Sequence, residues 1–191
     1  MDGKKVDRRT KYTKRALRDS IIKLLREKPV DKITVKELCE TADINRSTFY
    51  AYYGSPADLM HRIERELLRD LEAYLADASS GEGARAMSNR IAILFEYVAQ
   101  NADVCMTILG EHGSVQFQRE LMALIQNTGI LMAENTGDGE KLEYLIKFIV
   151  SGSVGVVQKW FEGGMRKTPR DTAEMLIDFI YFGLSPHGGA N

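Results

Sequence analysis

Residues 33–60 read ITVKELCETADINRSTFYAYYGSPADLM, and the two short helices predicted within this stretch decide the fold. The first helix is predicted for 34–42, because Thr34 and Glu37 form a capping-box pattern in which each side chain bonds a backbone N–H of the other residue. A tight connection over 43–45 follows, since its Asp and Asn tolerate the left-handed backbone that a sharp turn requires.

The second helix is predicted for 46–53, with Gly54 at its end. Joined in this way, and with a third helix packed behind them, two short helices form a helix-turn-helix. The sequence RSTFYAYY is unusually polar for a buried helix, because only Phe49 and Ala51 lack a polar group. A helix that enters the DNA major groove needs short donors and acceptors for base edges and hydroxyl groups for phosphate oxygens. The composition therefore favours a DNA recognition helix.

Helical signals continue on both sides of this motif, so the chain is predicted to be all-α. Upstream, Leu17, Ile21 and Leu24 recur on one face of a run over 13–28. No segment alternates with the period of a strand. Downstream, helices are predicted near 58–79, 85–101, 114–135, 140–163 and 169–184, with loops at 79–83 and 136–139.

Charge separates the two ends of the chain. Residues 1–53 hold 14 Lys or Arg against 8 Asp or Glu, a net charge of +6, whereas residues 54–191 have a net charge of −7. A basic segment joined to an acidic one is typical of a first part that meets a polyanion and a second part that does not. A solvated basic tail explains the charge equally well.

Other features argue against several classes of protein. Cys39 and Cys105 form no Cys/His cluster, so neither a disulfide scaffold nor a metal site is expected. Nucleotide-binding and nucleophile motifs are not found, so no cofactor and no enzymatic activity are expected. No uncharged run exceeds 13 residues, and no signal peptide is recognised. A cytoplasmic protein without a membrane partner is therefore predicted.

Residues 10–62 resemble the DNA-binding signature of the TetR (tetracycline repressor) family of bacterial transcription regulators. The resemblance is carried by Ile-Thr-Val at 33–35, Ser-Thr-Phe-Tyr at 47–50, the pair Tyr52-Tyr53, and the S-x-x-D-L pattern at 55–59. Two positions depart from the family. Asp43 stands where a Gly is usual, and Pro56 stands where a Lys grips phosphate. The missing cation is expected to be replaced by Lys36 or by the basic amino-terminal arm.

This resemblance implies roles for individual residues. Thr34 and Lys36, at the front of the first helix, correspond to backbone or base-edge contacts with DNA. The side chains that face the major groove correspond to Arg46, Ser47 and Thr48. The phosphate-binding hydroxyls correspond to Tyr50 and Tyr52. Arg46 can form two hydrogen bonds with guanine if its side chain points into the groove. Phe49 and Tyr53 are interpreted as core residues.

The remaining chain loosely resembles the effector and dimerisation half of these regulators, and 159–180 is similar to one carboxy-terminal subgroup. The predicted organisation is a helix-turn-helix DNA-binding domain over 1–55, a helical-bundle effector and dimerisation domain over 56–185, and a flexible tail over 186–191. Met and aromatic side chains line adaptable apolar pockets. The candidate ligand-site residues are Phe95, Met106, Phe117, Met122 and Met132. At helical spacing, such residues are more often ordinary core.

The last two predicted helices carry more apolar surface than one core needs, which predicts a homodimer. The candidate interface residues are Val150, Val154, Gly155, Met175, Phe179 and Phe182. A hairpin buried within one subunit is the alternative. Two-fold symmetry implies a palindromic operator.

These observations predict a transcription regulator that binds a double-stranded DNA operator as a homodimer, with its DNA affinity modulated by a small-molecule effector. Repression is the family default, and activation is the alternative. The alternative to a small-molecule effector is control by a protein coactivator or by no ligand. A helical adaptor or an enzyme whose basic first domain only packs is a further alternative, against which the opposite charges and the tyrosine-rich helix argue.

Overall fold

The computed structural model describes residues 2–77, 84–110, 113–127 and 139–182. Within these ranges the regular elements are helical and no strand occurs, which confirms the all-α prediction. The α-helices are α1 (Asp2–Leu25), α2 (Val35–Ala42), α3 (Arg46–Tyr50), α4 (Pro56–Asp77), α5 (Ala84–Gln100), α6 (Ala102–Leu109), α7 (Val115–Asn127), α8 (Gly139–Glu162) and α9 (Pro169–Phe182). A short 3₁₀ helix, Val30–Lys32, lies between α1 and α2.

Several predicted boundaries differ from these bounds. Helix α1 begins at Asp2 and not at 13, and α3 ends at Tyr50 and not at 53. Helix α6 was not predicted. The loop predicted at 79–83, most of that at 136–139, and residues 128–135 of a predicted helix lie outside the described residues.

Local hydrogen bonds explain where the helices around the turn begin and end. The Thr34 hydroxyl accepts the Glu37 N–H at 3.2 Å and starts α2. Asp43 ends α2 in the left-handed conformation, with φ 52° and ψ 46°. The predicted cap and the predicted turn geometry are both present. The side chain of Glu37 pairs with Lys28, so the reciprocal bond of a full capping box is replaced by an ion pair.

Helix α4 begins with a similar arrangement on the other side of α3. The Ser55 hydroxyl accepts the Asp58 N–H at 3.1 Å, and the Asp58 carboxylate accepts the Gly54 N–H at 2.9 Å. The bond from Gly54, together with one from Arg62, lowers the pKa of Asp58 below its ordinary value of 3.8. The first turn of α4 is therefore held by one neutral group and one ionised group.

Replacing Asp58 with Asn is expected to lower the free energy of unfolding by about 0.3–1 kcal/mol near neutral pH, because a carboxylate at a helix amino terminus is lost. Its folded pKa is lowered, so this stabilisation is present above pH 3.8 and disappears as pH falls through the folded value. Urea unfolding near neutral pH and again below the folded pKa of Asp58 measures the difference in unfolding free energy from wild type. Ser55→Ala is the matched control, and its cost should not change with pH. An equal pH response of both variants would contradict the assignment.

The chain divides into two compact units. The first unit contains Met1–Leu67 and Asp103–Phe117, and the second contains Leu68–Ala102 and Gln118–Asn191. The predicted domain boundaries at 55 and 185 stay a prediction.

The first unit is built around α1, which packs against α2, while α2 packs against α3. Its core contains side chains exposed by 1% or less: Leu17, Ile21, Leu38, Phe49, Leu59 and Ile108. Ile108 comes from α6, so this segment, distant in sequence, belongs to the core of the first unit. The Arg26 guanidinium also donates to the Asp103 carboxylate at 2.8 Å. Helix α6 thus belongs to the unit that contains the helix-turn-helix, although it is distant from it in sequence.

The second unit packs α9 against α5 and α8. Phe95 of α5 lies against the Trp160 ring of α8, with 5.6 Å between ring centroids. The Trp160 indole N–H donates to the Lys167 carbonyl at 2.9 Å and so ties the end of α8 to the connection that follows. The Thr168 hydroxyl accepts the Asp171 N–H at 3.1 Å and begins α9.

No single helix in the described ranges is both long and apolar enough to cross a membrane. Taken together, Ser88–Gln100 and Ala102–Leu109 meet that test by length and composition, with a 97° bend between them. Among the described residues, no three His, Cys, Asp or Glu side chains gather in a way that could hold a metal ion. Burial raises the pKa of the Cys105 thiol to about 12.

Candidate nucleic-acid interface

Helix α3 is amphipathic although it has only five residues. Phe49 is fully buried, and its ring contacts Tyr50 and Tyr53 with centroid distances of 5.5 and 5.8 Å. Burial also raises the pKa of the Tyr53 phenol, as expected for a core tyrosine. Arg46, Ser47 and Tyr50 of the same helix are exposed. One buried side chain therefore anchors the helix, and three exposed side chains leave a cation and two hydroxyl groups open to a partner.

The seven predicted DNA contacts occupy three different places. Thr34 and Lys36 are exposed on the amino-terminal end of α2, where Lys36 also lies 3.9 Å from the Glu40 carboxylate. Three more of the predicted contacts are exposed on α3, namely Arg46, Ser47 and Tyr50. Thr48 and Tyr52 are half-buried and lie on the flank of α3 that turns toward α1. Whether each contacts DNA stays a prediction.

A groove of about 440 Å³ separates this flank from α1. It is lined by Arg9, Thr10 and Thr13 of α1 and by Ser47, Thr48, Ala51 and Tyr52 on the other side. The hydroxyls of Thr10 and Tyr52 lie 3.3 Å apart and share a hydrogen bond. The Lys14 ammonium lies 5.8 Å from the centre of the Tyr52 ring.

The sequence interpretation missed the α1 side of this groove. A helix that begins at 13 leaves the amino-terminal basic residues in an arm without a fixed position. Arg9, Thr10 and Thr13 stand at i, i+1 and i+4, which is the spacing of one helix face. Extending the helix upstream would have revealed this signal.

The two departures from the family pattern have clear structural positions. Asp43 adopts the left-handed conformation at the turn, so its backbone does what a glycine would do there. Pro56 is buried at the first position of α4, where a fixed φ and a missing N–H are tolerated. This position therefore offers no cation to a phosphate.

The candidate ligand-site residues fall in both units. Phe95 and Met122 belong to the second unit, whereas Met106 and Phe117 belong to the first. Phe95 and Phe117 are exposed by only 1% and 3%, whereas Met106 is exposed by 37%. Met132 lies outside the described residues. Contact with Trp160 gives Phe95 an ordinary core role, and the ligand-site assignment of the set stays a prediction.

The candidate interface residues on α8 and α9 differ in exposure. Val150 is only 4% exposed and is thus already covered by its own chain, which argues against an interface role. Val154 and Met175 are half-buried, and Gly155 is exposed with no atom within 4 Å of the position of an added Cβ. Phe179 is 47% exposed. The side chain of Phe182 is outside the described residues.

Sequence reasoning missed two exposed aromatic residues on α8. Tyr144 and Phe148 are 70% and 74% exposed and share a helix face with Gly155, at i, i+4 and i+11. An apolar face of this kind on a chain described alone is typical of a surface that meets a partner.

Comparison with known proteins gives two family matches. Residues 17–63 match bacterial regulatory proteins of the tetR family, and residues 87–181 match a transcriptional regulator C-terminal region. The first match covers the helix-turn-helix. The second covers most of the chain from α5 to α9. Together they include every candidate DNA contact and every candidate interface residue except Phe182.

Solved structures show the same fold. A TetR transcriptional regulator from Streptococcus agalactiae is 23% identical, with a TM-score of 0.64, and the match covers 94% of this chain and 99% of that one. The fatty acid degradation regulator FadR from Bacillus halodurans is 12% identical, with a TM-score of 0.66 and coverage of 90% and 96%. FadR from Bacillus subtilis, solved with stearoyl-CoA, is 12% identical, with a TM-score of 0.65 and coverage of 89% and 98%.

Proposed function

Because the chain belongs to the TetR family of bacterial transcription regulators, we propose that it binds a palindromic operator as a homodimer and represses transcription from that DNA. A small molecule bound among the helices between 85 and 160 changes its DNA affinity. The proposal places the protein in the cytoplasm with its operator and assigns it no enzymatic activity.

The observation that carries the DNA-binding proposal is the contrast in burial along α3. Phe49 is fully buried, while Arg46, Ser47 and Tyr50 are exposed. Arg46 supplies the fork of donors that pairs with guanine, and the hydroxyl groups suit base edges and phosphates. The segment around them has a net charge of +6, which favours approach to a polyanion.

Selection from a library of random-sequence duplexes tests this proposal. The wild-type protein is expected to enrich a palindrome whose half-sites lie about one DNA turn, roughly 34–36 Å, or a multiple of it apart. A pool that shows no common sequence after repeated rounds would contradict specific DNA binding. Enrichment of a site without two-fold symmetry would contradict the homodimer and leave DNA binding intact.

The exposed faces of α8 and α9 support the homodimer. Tyr144 and Phe148 of α8 and Phe179 of α9 are each exposed, and Gly155 allows a second helix to approach closely. Two such helices from each subunit would form a four-helix interface with two-fold symmetry. Val150 has no part in this proposed interface, and the two aromatic residues of α8 replace it.

Chain connectivity supports control of DNA affinity from the second unit. The chain passes between the units three times, at residues 67–68, 102–103 and 117–118. Helix α4 starts directly after the helix-turn-helix and ends in the second unit, whereas nearly all of α6 belongs to the first. A ligand that prefers one arrangement of the second unit would thus act on the DNA-binding helices through α4 and α6.

An effector is expected to change operator affinity by about 5- to 150-fold, a coupling free energy of about 1–3 kcal/mol. Stearoyl-CoA is the first compound to test, because a neighbour of similar fold was solved with it. Fluorescence anisotropy on the selected operator measures the change, and calorimetry shows which compounds bind. If compounds that bind leave operator affinity unchanged, the ligand proposal fails, and control by a protein coactivator or by no ligand gains. Reporter transcription with and without the protein separates repression from activation.

A further inference from the structure

The groove between α1 and α3 has the chemistry of an anion site. Among its seven described lining residues, Arg9 is a cation, five carry hydroxyl groups, and none has a carboxylate. Guanidinium and hydroxyl groups are donors that proteins use for phosphate oxygens. The side chains come from two helices held together by the packing of the first unit, so their spacing is set before any ligand arrives.

Thr10 and Tyr52 form the fixed link across this groove. Each of the two hydroxyl groups has one donor hydrogen, and the hydrogen bond between them at 3.3 Å uses one of the two. The other hydrogen remains available to an acceptor in the groove. The Lys14 ammonium near the Tyr52 ring adds positive charge close to the same hydroxyl pair. Tyr52 therefore positions α1 as well as offering a donor.

If α3 occupies the major groove, the groove between α1 and α3 would lie beside a DNA backbone. The major groove is about 12 Å wide, and a helix with its side chains is about 10–12 Å across, so the flanks of a recognition helix meet the phosphates. Arg46 and Tyr50 are exposed and do not line this groove, whereas Ser47, Thr48 and Tyr52 do. With α3 in the major groove, the part of this flank nearest α1, at Tyr52, would face a phosphodiester backbone.

We propose that this groove binds a backbone phosphate of the operator, with Arg9 as its cation and the Thr10–Tyr52 hydroxyl pair as a positioning link and second donor. The inference rests on the proposed DNA-binding function and assigns α1 a contact that replaces the one missing at Pro56. The interaction is with phosphate alone, so it adds affinity for every sequence equally.

The salt dependence of DNA binding tests this assignment. On a 24-base-pair duplex of arbitrary sequence, Arg9→Ala is expected to flatten the slope of log K against log salt by about 0.9, the value for one neutralised phosphate. Arg8→Ala is the matched control, because it removes the same charge from the adjacent exposed residue, which is not part of the groove. Its slope is expected to stay close to that of wild type.

The hydroxyl pair is tested by a double-mutant cycle. Thr10→Val and Tyr52→Phe each remove one hydroxyl with little change in shape. If the two act as a unit, each is expected to weaken DNA binding, and the double variant should be no weaker than the worse single variant. Circular dichroism at the assay temperature confirms that each variant is folded.

Any one of three results would overturn the inference. The first is an equal change of the salt slope by Arg9→Ala and Arg8→Ala, and the second is a change by Arg9→Ala in the preference for one base pair of the selected operator. The third is that the effects of Thr10→Val and Tyr52→Phe on DNA binding are additive. A wild-type protein that binds no duplex at all would instead overturn the proposed function, and this inference with it. The two failures are therefore distinguishable.

Discussion

Combining Phe179→Glu with Gly155→Arg is expected to convert the dimer into a monomer and to weaken operator binding by at least about 100-fold, because a dimer holds both half-sites at once. Both charges would be buried in the proposed interface, where charged groups without partners are strongly unfavourable. In a single chain, Phe179 is half exposed and an atom added at Gly155 meets open space. The fold of each subunit should therefore survive.

Sedimentation velocity and operator titration on the same preparation measure the two effects. The matched control combines Phe179→Leu with Gly155→Ala, which keeps the face apolar and small and should remain dimeric with normal binding. A folded charged variant that stays dimeric and binds like wild type would place the interface elsewhere.

The second large effect is expected inside α3. Phe49 is fully buried against Tyr50 and Tyr53, so Phe49→Ala is expected to lower the free energy of unfolding of the first unit by about 3–5 kcal/mol. This is a large share of the 5–15 kcal/mol that stabilises an ordinary domain. DNA binding should be lost with the fold. Urea unfolding followed by circular dichroism measures the change.

The adjacent residue provides the control. Tyr50 is 59% exposed, so Tyr50→Phe removes a surface hydroxyl and is expected to change stability by less than about 0.5 kcal/mol. It should nevertheless weaken operator binding, because that hydroxyl is assigned to a phosphate. Equal destabilisation by both variants would contradict the division of α3 into a core face and a contact face.

The helix-turn-helix was predictable because its signals are local. Thr34 caps α2 through a group three residues away, and Asp43 turns the chain by its own backbone conformation. The core roles of Phe49 and Tyr53, expected from the family resemblance, agree with their burial. Such features depend on a few neighbouring residues, so one sequence is enough to identify them.

Helix α6 was missed because its residues lack a polar face. Five of its eight residues are buried, namely Val104, Cys105, Thr107, Ile108 and Leu109. A helix covered on most sides has no amphipathic period by which to recognise it. Its place in the first unit depends on contacts with residues far away in sequence, such as the bond from Arg26 to Asp103.

Long-range packing also limited the prediction of the sites. Nothing in the spacing of Val150 shows that its own chain covers it, or that Tyr144 and Phe148 stay exposed. The α1 side of the groove, with Arg9 and Thr10, likewise depends on where a distant helix packs. Residue types and helical spacing identify candidates, and tertiary contacts decide which of them face solvent.

The central claim is that α3 reads the operator from the major groove, and Arg46→Ala tests it most directly. Affinities are measured for the selected operator and for a set of duplexes in which each base pair is replaced in turn. Arg46→Ala is expected to lose about 1–3 kcal/mol of discrimination at one base pair of each half-site and to keep its non-specific binding. Lys36→Ala, in contrast, should weaken all duplexes alike. If Arg46→Ala, Thr48→Ala and Tyr50→Phe all match wild type at every duplex, α3 is not the recognition helix.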